Sequence, residues 1–230
     1  SHWNCYRVFK FWTQYIDLRD PSKKYLITGV VPAVFLVNLD ELNGREVPKT
    51  WDDILSPEFE DSVAVPMGDL DLFNALVVNL YKEYGMDGIT RLARSYKKSL
   101  HPAQMVKAKS KGKSENPAVS IIPYFFTQMI QGNNQVAVWP EDGAVISPIF
   151  MIAKKDKKEK TQPIIDFFMS ETVGKVFSAN GKFPSTNKLV DNGLSPDQKF
   201  KWVGWDFIEK TDIGALLRDL EAKFNEDILK

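Results

Sequence analysis

Hydrophobic positions along the chain follow two different spacings, which predict helices in some segments and strands in others. Phe73, Leu76, Val77, Leu80 and Tyr84 recur as they would on one face of a helix. The same spacing predicts further helices at 89–100 and 213–224. Short apolar, β-branched runs predict buried strands at 27–38, 62–66, 119–122, 135–139 and 144–153. Because strands alternate with helices, we expect an α/β fold with a mostly parallel mixed sheet flanked by helices.

Capping residues and helix breakers set the expected limits of several elements. Thr50 is expected to cap a short helix, with Asp53 at the capping-box position. Pro32 is expected to interrupt its strand, because proline lacks the N–H group that pairing requires. Gly85 should end one helix, and Pro102 should break the next one.

The composition is that of an ordinary globular protein without excess charge. Of the 230 residues, 43% are hydrophobic and 26% are charged, which is enough apolar material for one sizeable core. Thirty Lys and Arg residues balance thirty Asp and Glu residues, so the basic excess that favours nucleic-acid binding is missing. No apolar run approaches the roughly 20 residues of a membrane span, so no transmembrane segment is expected in this chain. The single cysteine, Cys5, excludes an internal disulfide framework.

The first part of the chain is rich in aromatic residues. Its aromatic side chains do not fit one narrow helical stripe, so a helix here would be buried over a wide face. Such a segment needs something to pack against, and we interpret residues 1–26 as part of a larger protein. An ordinary N-terminal core helix is the alternative. The aromatic residues are Trp3, Tyr6, Phe9, Phe11, Trp12 and Tyr15.

Motifs that would indicate an enzyme or a resident cofactor are missing from the sequence. It contains neither a glycine-rich phosphate loop nor a nucleophile elbow. The two histidines, His2 and His101, are far apart, and no histidine pair at helical spacing indicates zinc. We therefore expect no catalytic residue and no cofactor, and the sequence assigns no metal ligands.

Polar and aromatic residues are concentrated where predicted strands or helices end. In an open α/β sheet, ligands bind beyond the carboxyl ends of the strands. We expect the segments 68–71, 101–104, 123–126 and 139–142 to converge on one pocket that suits a cation, or an aromatic or sugar-like solute. The candidate ligand-binding residues are Asp69, Asp71, His101, Gln104, Tyr124, Phe126, Trp139 and Glu141.

Each candidate also has a structural interpretation. Asp69 or Asp71 would cap the helix that follows, His101 would stabilise a helix C-terminus, and the aromatic residues at 124–126 would belong to the core. In the ligand-binding interpretation, the carboxylates accept positive charge or hydroxyl donors. His101 and Gln104 then supply hydrogen bonds, and the aromatic rings supply stacking surface.

The order of several motifs resembles one protein family. The segment VPAVFLVN at 31–38 is followed by PKTWDDILSPEF at 48–59 and by VAVP at 63–66. Further along, PEDGA at 140–144 and FPSTN at 183–187 occur in the same order. This run resembles the extracellular solute-binding proteins of ABC importers. Within the two-lobed periplasmic binding protein superfamily, it is most similar to the ferric-iron-binding type.

The resemblance implies a particular organisation of the chain. Residues 27–183 would form the second, ligand-binding lobe, and 184–230 a return segment with a terminal helix. Residues 1–26 would be a linker or a remnant of a first lobe that is otherwise missing. Ferric-iron binders usually present a tyrosine pair where this chain has Tyr124 followed by two phenylalanines, so at most one phenolate is left for iron.

The sequence therefore predicts a non-enzymatic solute-binding component of an ABC importer. By resemblance, two lobes close around a metal complex or a small organic solute, and a membrane permease receives it. The implied location is extracytoplasmic, in the periplasm or as a lipoprotein at the cell surface. The alternatives are the effector-binding domain of a regulator, an enzyme on the same fold using Asp71, His101 or Cys5, and an interaction module without a small-molecule site.

Overall fold

The structure is a computed structural model that describes residues 8–11, 14–107, 116–131, 133–154 and 157–230. Its strands are β1 (Val8–Phe11), β2 (Gln14–Asp17), β3 (Leu26–Asn38), β4 (Val63–Val65), β5 (Tyr96–Ser99), β6 (Val119–Pro123), β7 (Gln135–Val138), β8 (Ala144–Met151) and β9 (Phe200–Lys201).

The α-helices are α1 (Trp51–Ile54), α2 (Leu70–Ser95), α3 (Pro102–Met105), α4 (Lys158–Phe168), α5 (Glu171–Lys175), α6 (Trp205–Lys210) and α7 (Ile213–Asp227). Shorter 3-10 or π turns cover Leu39–Glu41, Pro57–Phe59, Tyr124–Met129 and Val176–Asn180. A search of the described residues finds no helical stretch with the length and hydrophobicity of a membrane span.

Seven strands form one sheet in the order β5-β4-β6-β3-β8-β9, and β7 pairs with the end of β3. The long strand β3 is antiparallel to β6, β7 and β8. The pairs β4–β5, β4–β6 and β8–β9 are parallel. Six of the seven strands therefore run in one direction and β3 runs against them. The expected α/β fold with a mostly parallel mixed sheet flanked by helices is confirmed.

Strand β3 is continuous through Pro32, so the expected break at this residue is wrong. Pro32 pairs with Ile146 on one edge of the strand. On the other edge, β3 pairs with β6 only from Ala33 onward. Earlier on that edge, the Val30 N–H donates to the Pro184 carbonyl at 3.0 Å. Pro32 therefore lies between two partners on that edge, where a strand tolerates the missing N–H.

The core forms where α2 and α7 pack together against the sheet. Trp51, Phe35 and Phe224 are among its largest fully buried side chains. The Phe224 ring meets Phe73 edge-on at 5.5 Å, which joins α7 to α2. The capping box expected at the start of α1 is confirmed, since Thr50 and Asp53 accept each other's backbone N–H groups.

Two other expectations about helices need correction. The N-terminal segment forms a two-stranded antiparallel sheet of β1 and β2 and not a helix, although residues 1–7, 12 and 13 lie outside the described part. The backbone is non-helical at Gly85, as expected, with φ 65°. The part of α2 after Gly85, however, ends at Ser95 and does not continue to residue 100 as expected, because residues 96–99 pair with β4 as an edge strand.

The C-terminal segment completes the same sheet. Phe200 and Lys201 extend it next to β8, and Ser185 forms an antiparallel bridge with Gly29 of β3. The domain boundaries expected near residues 26 and 183 stay a prediction.

Candidate functional site

A hollow of about 630 Å³, which we call cavity 1, lies at the carboxyl ends of β4 and β6. Its walls come from the start of α2, the end of β6, strand β8 and the segment before β9. It is therefore located where an open α/β sheet usually binds ligands. The polar residues of its lining are Asp69, Asp71, Asn74 and Ser147, and the aromatic ones are Phe125, Phe150 and Phe183.

The two carboxylates of cavity 1 come from the first turn of α2. Asp69 caps this helix, and its Oδ1 accepts the Leu72 N–H at 3.3 Å. The exposed Asp71 follows in the first turn, and its backbone carbonyl accepts the Ser147 hydroxyl at 3.2 Å. Within the described residues, the lining contains no lysine, arginine or histidine. The cavity therefore carries negative charge without a basic counterpart.

Aromatic residues form another part of the cavity 1 lining. The Phe125 and Phe183 rings have centroids 5.0 Å apart. Phe150 lies on β8 and is 53% exposed although it is a large apolar side chain. Carboxylates and aromatic faces in one hollow are the two groups that attract an organic cation most directly.

A smaller hollow, cavity 2, has a volume of about 180 Å³ and is lined by Tyr124, Lys182 and Asn192 among others. Tyr124 lines cavity 2, whereas the next residue, Phe125, lines cavity 1. In the same way Phe183 lines cavity 1 and Pro184 lines cavity 2. The two cavities therefore share walls made from the same backbone segments.

His101 and Gln104 line neither cavity, and both cap α3. The His101 Nδ1 accepts the Ala103 N–H at 3.2 Å. The Gln104 Oε1 accepts the His101 N–H at 3.1 Å. His101 thus stabilises a helix N-terminus, and the expected C-terminal role is wrong. Its ring also contacts Phe126 edge-on at 6.3 Å.

Trp139 and Glu141 also lie outside both cavities. The Trp139 Nε1 donates to the Lys199 carbonyl at 2.6 Å, and its ring packs 5.1 Å from the Tyr124 ring. The Glu141 N–H donates to the Lys49 carbonyl at 2.8 Å, and its side chain is exposed. This turn is held against α1 through the Trp51 Nε1, which donates to the Gly143 carbonyl at 2.8 Å.

The structure thus brings parts of two of the four expected junctions, 68–71 and 123–126, to cavity 1. The candidate Phe126 is not in this lining and packs against the core. Sequence reasoning missed Asn74 and Ser147. Asn74 lies three residues after Asp71, which places both on one face of α2. Ser147 is the one hydroxyl residue in the otherwise apolar strand β8. The sequence thus contains a signal for both positions, but the signal can be recognised only after cavity 1 has been located.

The metal-binding potential of the site is limited to the carboxylates. Within the described part of the chain, no three or more His, Cys, Asp or Glu residues cluster as metal ligands would. A ferric ion prefers phenolate or carboxylate oxygen. Tyr124, however, lines cavity 2, so its phenol and the two carboxylates of cavity 1 line different hollows.

Comparisons with known proteins agree with this architecture. The family model for the bacterial extracellular solute-binding protein matches residues 3–211. The solved ferric iron-binding protein A of Mannheimia haemolytica has a TM-score of 0.69 and 15% identity, over 90% of this chain and 71% of that one. The Trichodesmium protein FutA, solved with iron and citrate, has a TM-score of 0.67 and 14% identity, over 93% and 72%.

A third solved structure is the spermidine/putrescine ABC transporter substrate-binding protein PotD of Streptococcus pneumoniae. It has a TM-score of 0.57 and 14% identity, and the alignment covers 90% of this chain and 70% of that one. At these identities the similarity shows the fold alone. A search of curated proteins finds no match.

Proposed function

The chain belongs to the bacterial extracellular solute-binding proteins, and on this premise we propose that it captures a small organic cation in cavity 1 for delivery to an ABC permease. The observation that carries this proposal is the pair Asp69 and Asp71, which line one hollow together with aromatic residues and without a basic residue in the described lining. No other feature of cavity 1 selects a charge sign as directly.

Electrostatics favour a cation strongly at this place. An ammonium group about 4 Å from a carboxylate gains roughly 4 kcal/mol of Coulomb energy at an effective dielectric constant near 20, and desolvation reduces the net gain at an exposed carboxylate. A face-on aromatic ring adds about 0.5–2 kcal/mol. Asp69 has one oxygen occupied by its helix cap. Asp71 is therefore the carboxylate better placed to take an ion pair with the solute, and Asn74 and Ser147 supply neutral hydrogen-bonding groups.

An organic cation fits the lining better than a bare ferric ion does. The apolar part of the lining, Phe125, Phe150 and Phe183, contributes nothing to metal coordination but covers hydrocarbon. The fold is compatible with either kind of solute, because its solved neighbours include ferric-iron-binding proteins and a spermidine/putrescine-binding protein.

Capture is expected to involve closure of two lobes over the solute. A ligand that binds the closed state better shifts the population towards it, and the permease would then recognise the closed state. Cavity 1 is partly open to solvent, and Phe150 is a large exposed residue in its lining. We expect this aromatic surface to contact the solute when the cavity closes.

Isothermal titration calorimetry tests the proposal with four probes: putrescine, tetramethylammonium, ferric citrate and the uncharged butane-1,4-diol. We expect at least one of the two cations to bind, and at least tenfold more tightly than the diol. Asp71→Asn should weaken cation binding at least tenfold, because it removes the charge and keeps the shape. Asp87→Asn, at an exposed position on the same helix, is the matched control and should leave the affinity unchanged.

Three results would contradict the proposal. The first is equal affinity for putrescine and the diol. The second is that ferric citrate binds and none of the other three probes does. The third is cation binding that Asp71→Asn leaves intact. Chemical conversion of a bound probe would favour the enzyme alternative. Binding by a chain that is fused to a DNA-binding segment would favour the regulator.

A further inference from the structure

Cavity 2 differs from cavity 1 in the chemistry of its lining, since it is rich in hydrogen-bond donors. Tyr124, Ser178 and Lys182 contribute two hydroxyls and an ammonium group. Among the described residues, none of these three side-chain groups has a hydrogen-bond or ion-pair partner. Ser178 is also one of the buried polar residues, with 5% of its surface exposed. These three donors are therefore free to bind the acceptor oxygens of a ligand.

Backbone groups occupy part of the acceptors in the cavity 2 lining. The Asp191 Oδ1 accepts the Gly193 N–H at 2.9 Å. The Asn192 amide forms two hydrogen bonds with Ser185, accepting its N–H at 2.8 Å and donating to its carbonyl at 3.1 Å. Within the described part of the chain, Asp191 keeps one carboxylate oxygen without a hydrogen bond, and its negative charge opposes that of Lys182. The three side-chain donors of the lining nevertheless favour a ligand that accepts hydrogen bonds.

The backbone that carries Lys182 is fixed on both sides. The Gly181 N–H donates to the Val176 carbonyl at 3.2 Å, and the Phe183 N–H donates to the Phe177 carbonyl at 2.9 Å. Lys182 itself has φ 53°, an uncommon conformation for a residue with a side chain. The backbone therefore fixes where the Lys182 side chain begins, and its flexible stem lets the ammonium group reach the hollow beside it.

We propose that cavity 2 is a second binding site, which takes a small oxyanion with a carboxylate or phosphate group. The Lys182 ammonium supplies the charge, and the hydroxyls of Tyr124 and Ser178 supply neutral donors to the anionic oxygens. The volume of about 180 Å³ exceeds severalfold the roughly 30 Å³ that one water occupies, so an anion of this class fits. The site is distinct from cavity 1, and its existence does not depend on the function proposed for cavity 1.

The experiment is an NMR titration of the ¹⁵N-labelled chain with inorganic phosphate and, separately, with acetate. Sodium chloride replaces each anion in reference samples, so that the ionic strength stays constant. We expect saturable shifts of the backbone signals of residues 178, 182, 192 and 193 with at least one of the two anions. Comparing the two anions separates a phosphate site from a carboxylate site.

Two variants identify the lysine that binds the anion. Lys182→Asn removes the charge, and asparagine tolerates a positive φ better than most residues. Lys23→Asn is the matched control, because Lys23 is an exposed lysine with φ 57°. We expect the first to weaken anion binding at least tenfold and the second to leave it unchanged. Tyr124→Phe, which retains the ring beside Trp139, should weaken it severalfold.

The proposal would be overturned by either of two results. One is that neither anion shifts the signals around cavity 2 beyond the chloride reference. The other is that Lys182→Asn, with an otherwise unchanged spectrum, binds the anion as tightly as Lys23→Asn does. Neither result would affect the cation proposed for cavity 1, because that site is tested with different probes and variants.

Discussion

Asp227, the last residue of α7, is the most heavily bonded carboxylate at the α7–α2 contact. The Lys223 and Lys230 ammonium groups each donate to its Oδ1 at 2.9 Å, and the Thr90 hydroxyl donates to its Oδ2 at 2.7 Å. These bonds, the one from Lys223 foremost, hold the pKa of Asp227 well below its usual value. Since Thr90 belongs to α2, this carboxylate ties the end of α7 to the core helix.

Asp227→Asn is therefore expected to lower the free energy of unfolding at pH 7 by roughly 1–3 kcal/mol, because a charged acceptor is lost. The lowered pKa stabilises the fold fully above the ordinary aspartate pKa of about 3.9. That stabilisation is lost as the pH falls below this value towards the pKa of the folded state. Urea unfolding at pH 7 and pH 3 should show a smaller difference between the two proteins at pH 3.

The exposed Asp219 lies on the same helix, and Asp219→Asn is the control for this experiment. It should unfold like the unmodified chain at both pH values. A difference between Asp227→Asn and the unmodified chain that stays constant from pH 7 to pH 3 would show that the charge of Asp227 does not stabilise the fold.

Single polar residues at strand ends are where sequence reasoning about the site reaches its limit. His101 and Asp69 both follow an extended segment, and both cap a helix. Asp69 nevertheless also lines cavity 1, whereas His101 does not. Helix caps and ligand-binding sites favour the same polar side chains. The spacing of residues therefore cannot separate the two roles, and only the three-dimensional position does.

Among the elements, the turn before β8 and the start of β9 approach each other unusually closely. A Cβ atom added to Gly143 would lie 2.9 Å from the carbonyl carbon and oxygen of Phe200. Gly143 also has φ 109°, and its carbonyl accepts the Trp51 Nε1. This glycine therefore allows α1, β8 and β9 to meet at one point.

Gly143→Ala is expected to destabilise the chain by more than about 2 kcal/mol, because backbone strain adds to a clash with rigid backbone. Gly44→Ala is the matched control, since Gly44 has φ 87° but no atom within 4 Å of an added Cβ. It should cost only the strain, about 1–2 kcal/mol. Thermal unfolding measures both. Equal losses would mean that the close approach of β9 contributes nothing.

Helices and strands with a strong local sequence signal could be predicted, whereas those that form by pairing between segments far apart in the sequence could not. The buried strands β4 and β6 and the capping box of α1 follow from hydrophobic runs and capping residues. Strand β5, by contrast, continues a helical spacing of apolar residues, and only its pairing with β4 makes it extended. Pro32 likewise stays within a strand because of distant pairing: the segments that pair with β3 on either side of Pro32 come from other parts of the chain.

For the molecule as a whole, the sequence predicted the α/β architecture and the edge of the sheet where cavity 1 lies. It could not predict which junctions meet there. The loop after β7 turns towards α1, because Asp142 accepts the Trp51 N–H at 3.3 Å, and this removes Glu141 from the cavities. Such long-range contacts depend on packing across the sheet, and the spacing of residues along the sequence carries no information about that packing.

The central claim is that a small organic cation occupies cavity 1. A crystal structure of the chain with the tightest-binding amine from the calorimetry is its most direct test. The nitrogen should lie within about 4 Å of a carboxylate oxygen of Asp69 or Asp71 and within about 6 Å of the Phe125 or Phe183 ring centre. An amine bound outside cavity 1, with both carboxylates free, would contradict the claim.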